Sequence, residues 1–165
     1  MRLRRAIPDE AADLTALALR SKAYWGYDEE FMDACRAELT VKATDVDRLR
    51  ITVVEAEGRI VGFFGLAGEP PEADLAFMFV DPESIGQGVG RRLWEHAVTT
   101  ARALGFEYIT IESDPGAEPF YRRMGAVRVG SVPSLSIPGR LLPQLHFEVS
   151  PPRRPGGARD RGRGA

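Results

Sequence analysis

The chain has 165 residues, of which 44% are hydrophobic and 28% charged, and its net charge is −2. One domain of this length buries a sizeable core, and the composition is that of an ordinary globular protein. No apolar run approaches the roughly 18 residues of a membrane span, and no apolar segment follows the basic N-terminus as in a secretory signal. A single cysteine, Cys35, excludes an internal disulfide, and neither histidine has neighbours at metal-ligand spacing. We therefore expect a cytoplasmic protein without a metal.

The charge is unevenly distributed along the chain. From Ser150 onward the sequence holds five Arg and one Asp among prolines and glycines, which leaves residues 1–149 acidic. Because burial of such a tail cannot offset its ordering entropy, we predict one domain at 1–149 and a disordered tail at 150–165. The tail is short and lacks interleaved aromatic residues, so we do not expect it to bind nucleic acid.

The N-terminal part of the chain predicts one strand and two helices. Leu3–Ala6 is typical of a short strand, and "PDEAADLTALALRSKAYWG" of a helix with acids in its first turn. The stretch "DEEFMDACRAEL" repeats this pattern and places Cys35 on its apolar stripe, where we expect a small buried side chain. An aromatic loop, "AYWGYD", joins the two helices.

The rest of the chain predicts strands with two further helices. Two β-rich runs around Glu57-Gly58 indicate a hairpin, and "EADLAFMFV" adds a third strand. Simple alternation along that strand places Asp74 on one face with Ala76 and Met78, opposite Leu75, Phe77 and Phe79. A helix from Gly88 to Leu104 ends at Gly105. A strand "YITIES", a short helix "AEPFYRRMG" and the strands "AVRVGSV" and "LPQLHFEV" follow. This order predicts an α/β fold, a mixed sheet with helices packed on it.

The strongest chemical signal is the glycine turn in "FVDPESIGQGVGRRLWEHA". Its three glycines free the backbone to turn, and the helix that follows offers unpaired N–H groups and a positive dipole end. Arg91 and Arg92 in the first turn would each cost a few tenths to about 1 kcal/mol unless an anion offsets them. The turn therefore predicts a bound phosphate or pyrophosphate. The Rossmann and P-loop patterns both fit it poorly, because the spacing is G-x-G-x-G and no Gly-Lys-Ser/Thr occurs.

The turn resembles the acetyl-CoA motif of the GNAT acyltransferase superfamily, Q/R-x-x-G-x-G/A after a "V-D-P" strand end. Ile85 to Gly90 lie in that frame, with Ile85 at the Gln/Arg position. A second stretch, "SDPGAEPFYRRMGAVRVG", resembles the family's N-A-x-x-F-Y-x-x-x-G-F segment, with Gly116 at the Asn position. The resemblance covers Leu3 to Val149 in element order and implies the GNAT fold, in which the central sheet is mixed but mostly antiparallel.

The resemblance implies acetyl-CoA as co-substrate, with its pyrophosphate on backbone amides from Gln87 to Arg92. It also implies that the end of the third strand contacts pantetheine and the thioester, where a bulge would splay the sheet. The expected cofactor-binding residues are Phe79, Val80, Gln87, Gly88, Val89, Gly90, Arg91 and Arg92.

The resemblance also implies catalytic roles. Tyr121 matches the family's general acid, and a phenol of pKa near 10 is protonated at neutral pH and can donate to a thiolate. Packing of the short helix is the alternative role for this side chain. Asp74 lies where some relatives carry a general base; Glu72 and Asp114 are rivals, and a solvated surface acid is the alternative for each.

The resemblance further implies that the acceptor binds near the region of the first two helices and the C-terminal strands. Tyr24, Trp25 and Tyr27 stand beside Asp28, Glu29 and Glu30, and aromatic rings next to acids suit a cationic amine. Alternatively, the rings cover the core and the acids begin the second helix. We expect Arg140 to be a solvated loop arginine; binding of an acceptor carboxylate is its alternative role.

Together these features predict a cytoplasmic N-acetyltransferase that transfers an acetyl group from acetyl-CoA to a primary amine by direct attack in a ternary complex. The acceptor is a small molecule or a peptide, and no membrane partner is expected. A non-catalytic acyl-CoA-binding sensor is the main alternative, and a nucleic-acid-associated protein that uses the tail is a weaker one. The sequence leaves a homodimer open.

Overall fold

A computed structural model describes residues 1–149, so the predicted tail at 150–165 lies outside the described residues. The elements follow the predicted order with one short helix added: β1 (Arg2–Arg5), α1 (Ala11–Ala23), α2 (Glu29–Leu39), α3 (Asp45–Arg48), β2 (Thr52–Ala56), β3 (Arg59–Ala67), β4 (Glu72–Val80), α4 (Val89–Ala103), β5 (Tyr108–Glu112), α5 (Glu118–Arg123), β6 (Val127–Pro133) and β7 (Leu141–Glu148). Short 3-10 turns at Pro8–Glu10 and Pro82–Ser84 precede α1 and the glycine turn. Within residues 1–149, no helix is long and apolar enough to cross a bilayer.

The added helix, α3, is a single turn, which is too short to show helical periodicity in the sequence. Its start is fixed by Asp45, whose carboxylate accepts a hydrogen bond from the backbone N–H of Lys42 at 2.9 Å. Arg48 donates to the same carboxylate at 2.6 Å. Local side-chain bonds of this kind hold short turns that propensity alone does not predict.

The seven strands form one sheet in the order β1-β2-β3-β4-β5-β7-β6. The neighbours are antiparallel except for β4 and β5, which run parallel. The prediction of a mixed, mostly antiparallel sheet flanked by helices is therefore confirmed.

The two faces of the sheet bury separate apolar clusters. On β3, the fully buried Phe63 packs with residues of α1 and α2, and the adjacent Phe64 packs with residues of α4 and α5. Successive residues of a strand point to opposite faces, so this division shows helices on both sides of the sheet. Cys35 is 3% exposed within the α1–α2 cluster, in agreement with its prediction as a small buried side chain.

The predicted alternation along β4 is wrong beyond Leu75. In the pairing with β3, Leu66 faces Leu75 but the next residue, Gly65, faces Phe77, so Ala76 is an extra, bulged residue. A bulge of one residue exchanges the faces of every side chain that follows it. Leu75 consequently shares the α4 face with Met78 and Val80, whereas Phe77 and Phe79 join Asp74 on the α1–α2 face. The bulge lies at Ala76, three residues before the position that the family resemblance implied.

Strands β4 and β5 separate soon after they meet. Their pairing covers only Glu72–Asp74 against Tyr108–Thr110, although β4 continues to Val80. Within residues 1–149, the edge of β4 beyond Asp74 has no strand partner on the β5 side, and β5 continues its pairing with β7 alone. The sheet is therefore open between β4 and β5 from Asp74 toward the C-terminal end of β4.

Candidate active site

A cleft of about 1120 Å³ enters the sheet where β4 and β5 separate. Its walls come from the α1–α2 loop, β4, the start of α4, the segment from β5 to α5, and the β6–β7 hairpin. It is by far the larger of the two cavities described within residues 1–149, the other having about 340 Å³. Pockets of this size accept cofactor-sized ligands, and open edges of α/β sheets are common sites for them.

One end of the cleft is formed by the N-terminus of α4. Gly88 caps this helix with φ +81°, a left-handed conformation that glycine adopts without strain, and Gly86 has the same φ. The backbone N–H groups of Gly88, Val89, Gly90 and Arg91 have no carbonyl partner among the described residues. Four free donors at the positive end of a fifteen-residue helix form an anion-binding arrangement.

Fewer backbone amides are free to bind an anion than the sequence predicts. The N–H of Gln87 donates to Ser84 O at 3.3 Å, and the N–H of Arg92 donates to Gly88 O at 3.1 Å. The Gln87 side chain also bonds back, to Glu83 O. Neither Gln87 nor Arg92 lines the cleft. Of the amides predicted to bind the pyrophosphate, those of Gln87 and Arg92 are therefore not free. The N–H of Gln87 is hydrogen-bonded within the turn, and the N–H of Arg92 within the first turn of α4.

The remaining predicted cofactor residues all line the cleft: Phe79, Val80, Gly88, Val89, Gly90 and Arg91. Ile85, the residue that departs from the family pattern, also lines it and is 45% exposed. The side chain of Arg91 forms an exposed pair with Glu95 at 3.1 Å, one turn further along α4.

Tyr121 lies on α5 against the α4 side of the cleft. Its ring packs edge-on against Trp94 and Phe120, and its side chain lines the cleft. No group within residues 1–149 forms a hydrogen bond with its hydroxyl. The hydroxyl is nevertheless not fully buried, so it is accessible from the cleft. Burial raises the pKa of Tyr121, so the phenol keeps its proton throughout the neutral range.

Asp74 lies at the point where β4 and β5 part, opposite Thr110. Partial desolvation of its carboxyl, followed by the nearby charge of Glu72, raises the pKa of Asp74 above its ordinary value, although the residue as a whole is exposed. Glu72 is held in place by the Thr110 hydroxyl, which donates to it at 2.6 Å. Asp74 lines the cleft and Glu72 does not. Of the two, only Asp74 can meet a ligand in the cleft directly.

Asp114, the third candidate base, is fully engaged by neighbours. Its Oδ2 accepts hydrogen bonds from Lys22 Nζ at 2.8 Å and from the Tyr27 hydroxyl at 2.7 Å, and its Oδ1 accepts one from Gly116 N at 2.8 Å. Burial opposes ionisation, but these bonds outweigh it and keep the pKa of Asp114 below its ordinary value. A carboxylate with this environment is a poor proton acceptor.

Arg140 is the fourth member of this group, which we call the Asp114 cluster: Lys22, Tyr27, Asp114 and Arg140. Arg140 donates to the Tyr27 hydroxyl at 2.6 Å and lies 3.5 Å from Asp114 Oδ2. Its guanidinium also stacks near the Phe31 ring, 4.8 Å from the centroid. The side chain is only 17% exposed, so the prediction of a solvated loop arginine is wrong.

The aromatic residues of the α1–α2 loop divide between two environments. Tyr24 and Trp25 line the cleft and are 54% and 45% exposed. Tyr27 does not line it; its ring stacks on Phe31 at 3.9 Å and its hydroxyl belongs to the Asp114 cluster. Asp28, predicted beside the amine site, instead caps α2 by accepting a hydrogen bond from Phe31 N. Neither Glu29 nor Glu30 lines the cleft.

Two acids that the sequence analysis does not single out for the acceptor also line the cleft, Glu38 and Glu112. Neither belongs to an ion pair of the described residues, and the same holds for Asp74. Glu112 ends β5, which lies parallel to β4. The sequence does not reveal this pairing, from which the position of Glu112 beside the opening would follow. Glu38 carries no such signal, because it is one of many exposed helix acids.

Comparison with known proteins agrees with this geometry. A family model described as the acetyltransferase (GNAT) family matches residues 14–126. The 5-NmdU N-acetyltransferase of Pseudomonas phage PaMx11 is 28% identical over 130 residues, 78% of this chain and 88% of that protein. The peptidyl-lysine N-acetyltransferase YjaB of Salmonella typhimurium is 33% identical over 126 residues, 74% of this chain and 81% of that protein.

A solved structure shows the same fold. The PaiA N-acetyltransferase of Thermoplasma acidophilum, determined in complex with coenzyme A, superposes with a TM-score of 0.76. The match covers 89% of this chain and 98% of that one, at 17% identity. The family match extends over both sequence motifs, the glycine turn and the Phe120-Tyr121 segment, and confirms the resemblance on which they were interpreted. The chain therefore belongs to the GNAT family and is an acetyltransferase.

Proposed function

We propose that this chain transfers an acetyl group from acetyl-CoA to the primary amine of a cationic acceptor, by direct attack in a ternary complex. The observation that carries the proposal is that one continuous cleft contains the free amides of α4, Tyr121 and Asp74. These are an anion site, a protonated phenol and a carboxylate of raised pKa, which are the three elements that the reaction requires.

The residues at the start of α4 fit the pyrophosphate of coenzyme A. The amides of Gly88 to Arg91 have no carbonyl partner within residues 1–149, and the helix dipole adds positive charge at this helix end. The opening between β4 and β5 leaves the edge of β4 near Phe79 and Val80 free to bind the pantetheine arm. Bound acetyl-CoA supplies an activated acyl group as a thioester.

Tyr121 acts as the general acid of this proposal. A phenol gives up its proton less readily when it is buried, so Tyr121 remains protonated at neutral pH and donates to the departing thiolate. Cys35 is 3% exposed and does not line the cleft, so it offers no route through an acyl-enzyme.

Asp74 acts as the general base. At pH 7 an amine of pKa near 10.4 must lose a proton at a cost of about 4.6 kcal/mol before it can attack, so a positioned acceptor for that proton matters. The raised pKa of Asp74 makes it a stronger base than an ordinary aspartate. The alternative base, Asp114, is occupied at both oxygens.

Three acids without an ion-pair partner and two exposed rings in the cleft favour a cationic acceptor, although Lys22, Arg91 and Arg123 also line it. Glu38, Asp74 and Glu112 line it without an ion-pair partner in residues 1–149, and the exposed rings of Tyr24 and Trp25 stand nearby. Ammonium groups bind to such surfaces by charge attraction and by cation–π contact. The ammonium group of a lysine side chain, the acceptor for which one relative is named, has this chemistry.

The decisive experiment is release of free CoA thiol from acetyl-CoA in the presence of a panel of amines, with lysine peptides, polyamines and neutral amines compared. We expect release with cationic amines and little with neutral ones. Tight acetyl-CoA binding in a calorimeter with no release for any amine would favour the sensor alternative and contradict the proposed activity.

A further inference from the structure

The Asp114 cluster joins parts of the chain that are far apart in sequence. Lys22 belongs to the last turn of α1, Tyr27 to the α1–α2 loop, Asp114 to the segment between β5 and α5, and Arg140 to the β6–β7 loop. All three donors converge on a single atom, Asp114 Oδ2. Both loops that border the mouth of the cleft are thus attached to one carboxylate.

We propose that Asp114 is a positioning residue that fixes these two loops and so sets the affinity for the amine. The inference rests on the proposed function and assigns no chemical step to Asp114. It follows from which residues the loops bring to the cleft: the α1–α2 loop supplies Tyr24 and Trp25, and the β6–β7 hairpin supplies Pro133, Leu135 and Leu142.

The first link in the argument is a contact between Trp25 and Gly116. The indole lies so close to Gly116 that a Cβ there would be 2.7 Å from Trp25 Cε3, so any side chain at this position would displace the ring. Gly116 is held by its N–H bond to Asp114 Oδ1, and the loop that carries Trp25 is held by Tyr27 on Oδ2. The two oxygens of one carboxylate therefore fix both sides of this contact.

The second link is the charge balance of the cluster. Lys22 and Arg140 are two cations on one anion, and their side chains are only 14% and 17% exposed. Solvent screening is weak at such burial, so the carboxylate is what keeps the two cations close to each other. Without its charge they repel, and Arg140 keeps the β6–β7 loop in place only through the Tyr27 hydroxyl and the Phe31 ring.

Asp114→Asn tests the proposal with little change of shape. The asparagine keeps an oxygen for Gly116 N but loses the charge and presents an amide to Lys22 and Arg140. We expect the KM for the amine to rise about tenfold, the usual effect of one lost charged hydrogen bond. The kcat at saturating amine and the KM for acetyl-CoA should change by less than about twofold, because the free amides of α4 and Tyr121 lie outside the cluster.

Tyr27→Phe provides a second variant that keeps the ring stacked on Phe31 and removes only the hydroxyl. It should raise the amine KM in the same direction by a smaller factor. Because the two residues act through one bond, the double variant should resemble Asp114→Asn alone rather than show the product of both effects. Asp33→Asn, an exposed acid of α2 paired only with Arg36, is the matched control and should change neither KM.

A fluorescence measurement separates this inference from the proposed function, since it needs no turnover. The chain has two tryptophans, and Trp94 is 3% exposed, so acrylamide quenching reports mainly on Trp25. Asp114→Asn and Tyr27→Phe should both make Trp25 more accessible to the quencher, while Asp33→Asn should not. If quenching and amine KM are unchanged in both variants, or if the KM for acetyl-CoA rises as much as that for the amine, the positioning role is wrong. A wild-type chain that releases no CoA contradicts the proposed function alone, and quenching still decides whether Asp114 anchors the loop.

Discussion

At the scale of single residues, Tyr121 and Asp74 owe their shifted pKa values to the same cause. Desolvation, nearly complete for Tyr121 and partial for the exposed Asp74, raises the pKa of each because it penalises the charged form. The consequences for catalysis are opposite. A phenol with a raised pKa stays protonated as an acid, whereas a carboxylate with a raised pKa becomes a stronger base once it is ionised.

Tyr121→Phe should lower kcat by about a hundredfold and leave acetyl-CoA binding in place, since the ring still packs against Trp94 and Phe120. The measurement is steady-state CoA release with binding followed in parallel by calorimetry. Tyr108→Phe serves as control, because Tyr108 lies on β5 outside the cleft lining. An unchanged kcat in Tyr121→Phe would remove this residue from the mechanism.

The base role of Asp74 predicts a pH dependence. A base works when it is deprotonated, so activity should rise with pH through the pKa of Asp74. Glu72 is the second cause of the raised pKa, and Glu72→Gln should therefore move this limb of the kcat/KM profile to lower pH. Asp74→Asn should abolish the limb and most of the rate with a lysine-like amine. A profile that keeps the same limb in both variants would point to another group.

At the scale of elements, the start of α4 shows why a glycine is needed at one position and only tolerated at another. Gly88 has φ +81°, and no atom lies within 4 Å of the place where a Cβ would be. A glycine is therefore needed there for its backbone conformation and not for lack of space. Gly90 has no such backbone requirement, and a Cβ there would lie at ordinary contact distance, 3.4 Å, from the Phe120 ring.

These two glycines give a matched pair of variants. Gly88→Ala should lower the free energy of unfolding by about 1–2 kcal/mol, the cost of a left-handed conformation for an L-residue. Gly90→Ala should not show this loss, because alanine is favoured inside a helix. Urea unfolding of both variants checks the difference. Equal losses in the two would mean that sterics, and not φ, govern the turn.

At the scale of the whole molecule, ion pairs make the fold sensitive to acid. Arg4 donates to Glu10 and holds the pKa of Glu10 below its ordinary value, and Arg48 does the same for Asp45. At Asp114, burial opposes the shift but the bonds from Lys22 and Tyr27 outweigh it. A depressed pKa in the folded state contributes stability above the unfolded pKa, near 4, and that stability is lost as the pH falls through the folded value.

Urea unfolding measured from pH 7 to pH 2 should therefore give a constant stability near neutrality and a loss on the order of 2 kcal/mol below about pH 4. Glu10→Gln should reduce this slope, since one of the shifted groups is gone. Glu69→Gln, an exposed loop acid outside the ion pairs of residues 1–149, should leave the slope as it is. A wild-type stability that does not fall in acid would show that these pairs contribute little.

Much of the fold is determined by local sequence. The helix starts, the Glu57-Gly58 hairpin and the glycine turn are encoded within a few residues, because caps, turns and periodicity depend on near neighbours. The element order and the mixed sheet follow from these signals, and two short motifs were sufficient to indicate the family that the comparisons confirm. The family resemblance carried by these motifs also indicated Tyr121 and most of the α4 residues that line the cleft.

Only the tertiary structure decided the rest. The bulge at Ala76 reverses the faces of Met78 and Phe79, and it arises from the register with β3, which no pattern within β4 reveals. In the Asp114 cluster, a hydrogen bond joins Tyr27 and Arg140, which are 113 positions apart, and the side chain of Arg140 is 17% exposed where a surface side chain was expected. The amides of Gln87 and Arg92 left the predicted site because the turn and the helix took their hydrogen bonds. In each case the contact that changes the outcome depends on strand register or on backbone hydrogen bonds of the folded chain. Neither can be predicted from the local sequence.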